Sequence, residues 1–324
     1  MEAMAKTLMD ELEKNGAVRR YDGPTPCTSP GHFVLKKCGT KVRLVTDYRI
    51  LNQFIKWPVR PFRSASELMK RVHPTSRWFC KLDAIHGYFQ VPLEEESALL
   101  TAFLLHDGKR IYLVAPMGLI SSSDEFNIRS DKAVAEFSEW LLKIVDDMAI
   151  QGEDLKTVFR RLRKVLDACR AAGIKLSLDK LCVGRSIKFA GFVISSDGIR
   201  PNPAKLASLR NFPTPKSVTE LKSFLGLANQ LGQFLPDLAH ATVQIRELLK
   251  KGVAFLWLPA HAEEFDRVRE LLCSSDVVKP FNIDLPTQLL TDASRLYGFG
   301  YALVESNAVP VLCLQRRKTT RPSS

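Results

Sequence analysis

The chain has 324 residues, 45% of them apolar, enough to bury a sizeable core across two or three subdomains. Its 47 Lys and Arg against 35 Asp and Glu leave a formal charge of +12, which favours polyanionic partners through counterion release but also suits a basic protein without one. Seven scattered cysteines with no C-x-x-C pair signal neither a zinc site nor a disulfide framework. They fit a reducing compartment, cytoplasmic or nuclear, and the absence of an h-region or long apolar run predicts no membrane partner.

In chain order, Met1 to Arg20 predicts an amphipathic helix ending at Asn15-Gly16. HFVLKK and KVRLVTDY flank Cys38-Gly39-Thr40 and predict a basic hairpin with a mobile tip. An extended run ending WFCKLD at Asp83 precedes TAFLLHDGKRIYLVAP, with a turn expected at Asp107-Gly108. Helix is predicted over about Ser122 to Phe137, then a strand-turn-strand in LLKIVDDMAIQG, then helix from Leu155 to Ala172 stopped by Gly173. IKFAGFVISSDGIRP predicts a strand pair turning at Asp197-Gly198, and prolines 201, 203, 213 and 215 mark a domain boundary. Ser217 and Glu220 have capping-box spacing ahead of a helix with Leu221, Phe224, Leu225, Ala228 and Leu231 on one face. Gln288 to Val304 predicts a final strand pair, and the tail QRRKTTRPSS a disordered segment.

Three acids stand out because they sit among apolar strand residues: Asp83 after WFCKL, and Asp146-Asp147 between LLKIV and MAI. A carboxylate there costs several kcal/mol unless it is paired, exposed at a turn or bound to a metal. An Asp-Asp pair in a hairpin is also ordinary turn chemistry. Their order along the chain, with PMGL between them, suits a site for hard cations, which take carboxylate oxygens together with substrate phosphates.

In order, KVRLVTDYRILNQ, KLDAIHGYFQVPL, YLVAPMGL, KIVDDM, LSLDKLCVG and KFAGFVIS resemble the reverse transcriptase of gypsy-type long-terminal-repeat retrotransposons, with coverage from about Leu8 to Val304. The resemblance implies an α+β, right-hand polymerase: fingers and palm over 1–200, a helical thumb and connection over 201–280, a truncated ribonuclease H-like start over 281–310, and a basic tail over 311–324. It implies RNA-directed DNA polymerase activity with two Mg²⁺ ions, Mn²⁺ being an alternative. The implied partners are an RNA or DNA template with its primer, and deoxynucleoside triphosphates.

Residue by residue, the resemblance makes Asp83 and Asp146 the principal metal ligands, with Asp147 adjoining them and the Ala84 carbonyl assisting. Arg43, helped by Lys36 or Lys37, matches the arginine on the incoming triphosphate. By itself it reads as a solvated edge-strand charge. Tyr88 matches the aromatic that excludes a 2′-hydroxyl, and reads otherwise as a core aromatic beside Phe89. Met117 and Gly118 open the loop against the nucleotide. Lys180 matches a proton donor to the leaving pyrophosphate, or is a surface lysine. Phe189 and Gly191 fall in the primer-holding hairpin.

Departures from the family pattern are Ile144 where relatives carry an aromatic, His86, and SSSDEFNIRSD, and they bear on rate and fidelity. TDASRLYGFG resembles the start of a ribonuclease H-like domain, with Asp292 its first carboxylate. No acid follows Glu305, so ribonuclease H activity is expected to be absent. Two rival readings stand beside the polymerase. One is a retrotransposon-derived nucleic-acid-binding relic without turnover, and the other is a different two-metal nucleotidyltransferase.

Overall fold

Side-chain alternation along Trp78–Asp83 decides the central sheet. Cys80 and Leu82 point to one face and pack with Met148, Ile150 and the helix Leu155–Ala171, whose Val158, Leu162 and Val165 complete that core. Phe79 points to the other face, beside Leu142 and Ala149. Lys81 and Asp83 share this second face by the same period of two, so the acid end of the strand lies opposite the long helix. The sheet has four strands, in the order Leu141–Ile144, Asp147–Gly152, Trp78–Asp83, Cys182–Gly184, all antiparallel. The computed structural model describes residues 2–36, 39–56, 64–234, 238–273, 282, 284–294 and 298–305.

A five-stranded sheet stands beside it, in the order Val18–Arg20, Gly108–Tyr112, Phe103–Leu105, Ser29–Leu35, Val42–Thr46, with one parallel pairing between Ser29–Leu35 and Phe103–Leu105. The helix Glu2–Lys14 ends at Gly16, whose φ is +68°, and buries Met9 against Leu44, Phe103 and Tyr112. The basic hairpin forms as expected, with Val34 opposite Arg43. Lys37 and Cys38 at its tip lie outside the described residues. The next hairpin pairs Leu105 with Gly108, so its turn is His106-Asp107, one residue earlier than expected. Asp107 is held there by Arg110, whose guanidinium donates to both its carboxylate oxygens at 2.8 Å.

One expectation is corrected after Gly184. The predicted strand pair is three strands, Ser186–Phe189, Phe192–Ser195 and Gly198–Pro201, because Ala190-Gly191 makes an additional two-residue turn. The proline-rich stretch is no gap in packing either. Pro201 pairs with Phe192, Pro203 opens the helix Pro203–Arg210, and Leu209 is buried in the same core as Phe189, Phe192, Phe224 and Phe265. Proline is suited to a helix start, where its missing N–H has no partner to lose. Burial of each such side chain stabilises by roughly 1.5–3 kcal/mol, so the core crosses the expected boundary at residue 200.

Ser217 caps the helix Val218–Gln230 by accepting from the Glu220 amide at 3.2 Å, and the expected apolar face is buried. Thr287–Ser294 and Gly298–Glu305 pair with Asp292 opposite Gly300, and the tail lies outside the described residues. Cys27, Cys80, Cys169 and Cys182 are free thiols, and burial pushes Cys80 and Cys169 up to about 11. Among the described residues no helix is long and apolar enough to cross a membrane.

Candidate active site

The three acids converge because of register. Ile144 pairs with Asp147, so the connection between the two strands is the two-residue turn Val145-Asp146. Val145 takes φ of +51°, left-handed backbone that a β-branched residue adopts only under strain. Asp147 pairs directly with Asp83 on the next strand. Like charges opposite each other are repulsive, and two ammonium groups offset this: Lys81 Nζ lies 3.1 Å from Asp147 Oδ1, and Lys180 Nζ donates to Asp83 Oδ1 at 2.6 Å. The Asp146 Oδ1 atom has no such partner, being buried without a hydrogen bond.

The protonation energetics follow. Burial, then the charges of Asp83 and Asp147, raise the Asp146 carboxyl above the usual carboxylate range. Burial raises Asp147 as well, against the pull of Lys81 and with the help of Asp83. Lys180 is raised chiefly by its hydrogen bond to Asp83.

Backbone bonds hold these groups in place. The Ala84 amide donates to the Asp146 carbonyl at 3.0 Å, and the Ser177 amide to the Asp83 carbonyl at 2.8 Å, drawing the Lys180 segment alongside. Gly87 is required, since a Cβ there would fall 2.5 Å from Asp146 Oδ1 and 3.0 Å from the Phe126 ring. Tyr88 follows it, half-buried and edge-on to Phe126 at 6.5 Å between centroids, its hydroxyl raised by burial and then by Asp146 and Asp124.

Residues 35–194 match a family model described as reverse transcriptase (RNA-dependent DNA polymerase). Over that segment the chain is similar to reverse transcriptases. Its relatives include the Transposon Tf2-3 and Tf2-7 polyproteins of Schizosaccharomyces pombe, each 28% identical over 91% of this chain. The chain spans 22% of the length of those polyproteins, and the gypsy-type resemblance read from its motifs holds. Among solved structures it is similar to the foamy viral protease-reverse transcriptase. One complex with double-stranded DNA matches at TM-score 0.83 and 20% identity, over 98% of this chain and 56% of that one. The complex with an RNA/DNA hybrid matches at 0.79 and 18%, over 99% and 44%. The α+β polymerase fold is thereby the one the chain adopts.

The remaining predicted residues are dispersed over the described chain. Lys36 and Arg43 lie exposed on the basic hairpin of the five-stranded sheet. Met117 is exposed, and Gly118, with φ of +94°, lies against the Thr46 carbonyl and the Tyr48 ring. Asn52 fixes this loop, donating to the Gly118 carbonyl at 2.9 Å and accepting from the Ile120 amide at 3.0 Å. Phe189 has its ring 1% exposed in the core, and Gly191 lies in the turn beside it. Asp292 lies in the Thr287–Ser294 strand, far along the chain from the carboxylates.

Two lysines escaped the sequence reading. Lys81 carried a usable signal, since two residues before Asp83 on a strand means the same face. Lys143 is 8% exposed and bonds Asp131 at 2.8 Å and Asn127 at 3.0 Å, bracing the hairpin on the helix Ser122–Val134, which only the packing reveals.

Among the described residues no three His, Cys, Asp or Glu side chains form a finished metal cage, Lys81 and Lys180 being engaged with two of the acids. The donors nevertheless fit a hard divalent ion. They are carboxylate oxygens, one is buried and unpartnered, and Mg²⁺ commonly takes only one or two protein carboxylates beside substrate phosphates.

Proposed function

We propose that the chain is an RNA-directed DNA polymerase that extends a primer 3′-hydroxyl with deoxynucleotides, Asp83 and Asp146 holding two Mg²⁺ ions with Asp147 beside them. The observation that carries this is the register that sets Asp83 opposite Asp147 while the turn buries an unpartnered Asp146 oxygen. Such a cluster destabilises the fold unless cations use it. Bound there, the ions would favour the nucleophilic form of the primer hydroxyl and neutralise charge on the phosphates.

The protein's own part is positioning and charge. Asp146 and Asp147 are held by the strained turn, and Asp83 by the paired strand end. Lys180, hydrogen-bonded to Asp83, would give a proton to departing pyrophosphate. Arg43 and Lys36 supply cations for the triphosphate from the neighbouring sheet, while Met117 and Gly118 form the wall of the nucleotide site. Tyr88, packed on Phe126 next to Asp146, would exclude a 2′-hydroxyl. The foamy viral relatives solved with double-stranded DNA and with an RNA/DNA hybrid support a template–primer as the partner.

Primer extension on poly(rA)/oligo(dT) with dTTP and Mg²⁺, comparing the native chain with Asp146→Asn, tests the reading. Extension that vanishes in the variant is the expected result. A native chain that binds the duplex yet never extends it, with Mg²⁺ or Mn²⁺, overturns the reading in favour of a binding relic.

A further inference from the structure

The facing acids hold cations supplied by the chain itself. Lys81 stands on the strand Trp78–Asp83, paired on one side with Ala149 and on the other with Cys182. Its backbone is therefore fixed, and only its flexible four-carbon stem can move. Its ammonium lies 3.1 Å from Asp147 Oδ1. Lys180 reaches the site from the far side, its segment held by the bond from the Ser177 amide to the Asp83 carbonyl, and its ammonium meets Asp83 Oδ1 at 2.6 Å. Each of the two carboxylates that register sets face to face thus has one ammonium, while Asp146 keeps its buried, unpartnered oxygen.

A hard divalent ion seeks the same oxygens. Ion and ammonium compete for them, because like charges gathered at one carboxylate repel strongly where solvent is partly excluded. The fold gives the ammonium groups somewhere to go. A cavity of about 490 Å³ is lined by both Lys81 and Lys180, with Cys182, Ser186 and Lys188 around it. Lys143 is built differently. It is 8% exposed, bonded to Asp131 at 2.8 Å and to Asn127 at 3.0 Å, and it does not line that cavity. It braces the hairpin, whereas Lys81 and Lys180 each hold an acid of the site and have space to withdraw.

We propose that Lys81 and Lys180 are place-holding cations: they neutralise Asp147 and Asp83 until a divalent ion arrives, and the ion displaces their ammonium groups into this cavity. This rests on the reading of the three acids as metal ligands, and not on polymerisation. The exchange makes the lysines set the affinity for the ion, since each ion bound breaks an ion pair. A residue that merely oriented a ligand would act in the opposite sense, because removing such a partner weakens metal binding by about 10–100-fold.

The test is Mn²⁺ binding to the full chain, read from the electron paramagnetic resonance of the free ion. Native chain, Lys81→Met and Lys81→Arg are compared, with thermal melts confirming that each is folded and Asp146→Asn marking which binding belongs to the site. Lys81→Met is expected to bind Mn²⁺ about five- to thirtyfold more tightly, the factor that corresponds to one partly exposed ion pair. Lys81→Arg, whose forked guanidinium grips a carboxylate more firmly, is expected to bind more weakly than the native chain. Equal or weaker binding by a folded Lys81→Met overturns the proposal, and so does a lack of site binding in both. Acetylation of the native chain with acetic anhydride, mapped by mass spectrometry, reads the displacement itself. Saturating Mg²⁺ is expected to make Lys81 and Lys180 react faster and to leave Lys143 unchanged. Lys81 and Lys180 rates that do not rise with Mg²⁺ overturn the proposal. Since both measurements are made without chemistry, a chain that never extends a primer yet shows the exchange sinks the polymerase reading and leaves the place-holding lysines standing.

Discussion

Lys81 and Asp147 meet at 3.1 Å on a diagonal between antiparallel strands, two residues from the point where Asp147 faces Asp83. The lysine offsets the repulsion that this register creates, and each of the two side chains is about a quarter exposed, at 24% and 28%. Lys81→Met therefore leaves the acid pair uncompensated and is expected to cost about 1–2 kcal/mol, between the values for exposed and buried ion pairs. The check is urea denaturation in metal-free buffer. Equal midpoints for native and variant would remove Lys81 from this role.

The acids also set a pH dependence. Asp146 and Asp147 have folded pKa values above their unfolded ones. Their contribution is therefore fully present below the ordinary carboxylate range and is lost as pH rises through the raised folded values. Asp107 and Asp154 are lowered and act in the opposite sense, so the difference between native chain and Asp146→Asn isolates the site. Without metal, Asp146→Asn is expected to melt a few degrees above the native chain at neutral pH, the gap closing as pH falls toward that range. Mg²⁺ should raise the native melting temperature and not that of the variant. A gap that stays constant with pH refutes the assignment.

At the tip of the acid hairpin, Val145 holds φ of +51°. Left-handed backbone costs a non-glycine residue about 1–2 kcal/mol, whereas glycine loses about 0.5–1 kcal/mol of chain entropy. Val145→Gly should accordingly stabilise the chain slightly, by up to about 1 kcal/mol, while loosening Asp146 and slowing extension. Calorimetry and single-turnover extension on the same preparation separate the two effects. A slower and less stable variant would show that the valine is not strained.

Gly87 is the converse case. Its missing side chain leaves room for Asp146 Oδ1 and the Phe126 ring, so Gly87→Ala forces one or both to move. Overpacking of this kind costs about 1–3 kcal/mol. A displaced metal ligand is expected to lower extension at least tenfold, by the same logic that makes small misplacements costly in catalysis. Extension at the native rate would place Asp146 outside the reaction.

Local pattern decided much of this protein. Alternation fixed the strand Trp78–Asp83, Gly16 and Gly173 marked helix ends, Ser217 its cap, and the apolar arms around Asp146-Asp147 a hairpin, because each depends on neighbours a few residues away. The order of motifs then carried the resemblance and the polymerase fold. What depended on contacts between distant segments had no local signature. Pairing register alone set Asp83 opposite Asp147 and brought Lys180 across 97 residues of sequence to Asp83. Packing turned Phe189 inward and carried one core past Pro201 and Pro203. Sequence period tells which face a side chain takes, but only the folded chain decides what stands on the other side of that face.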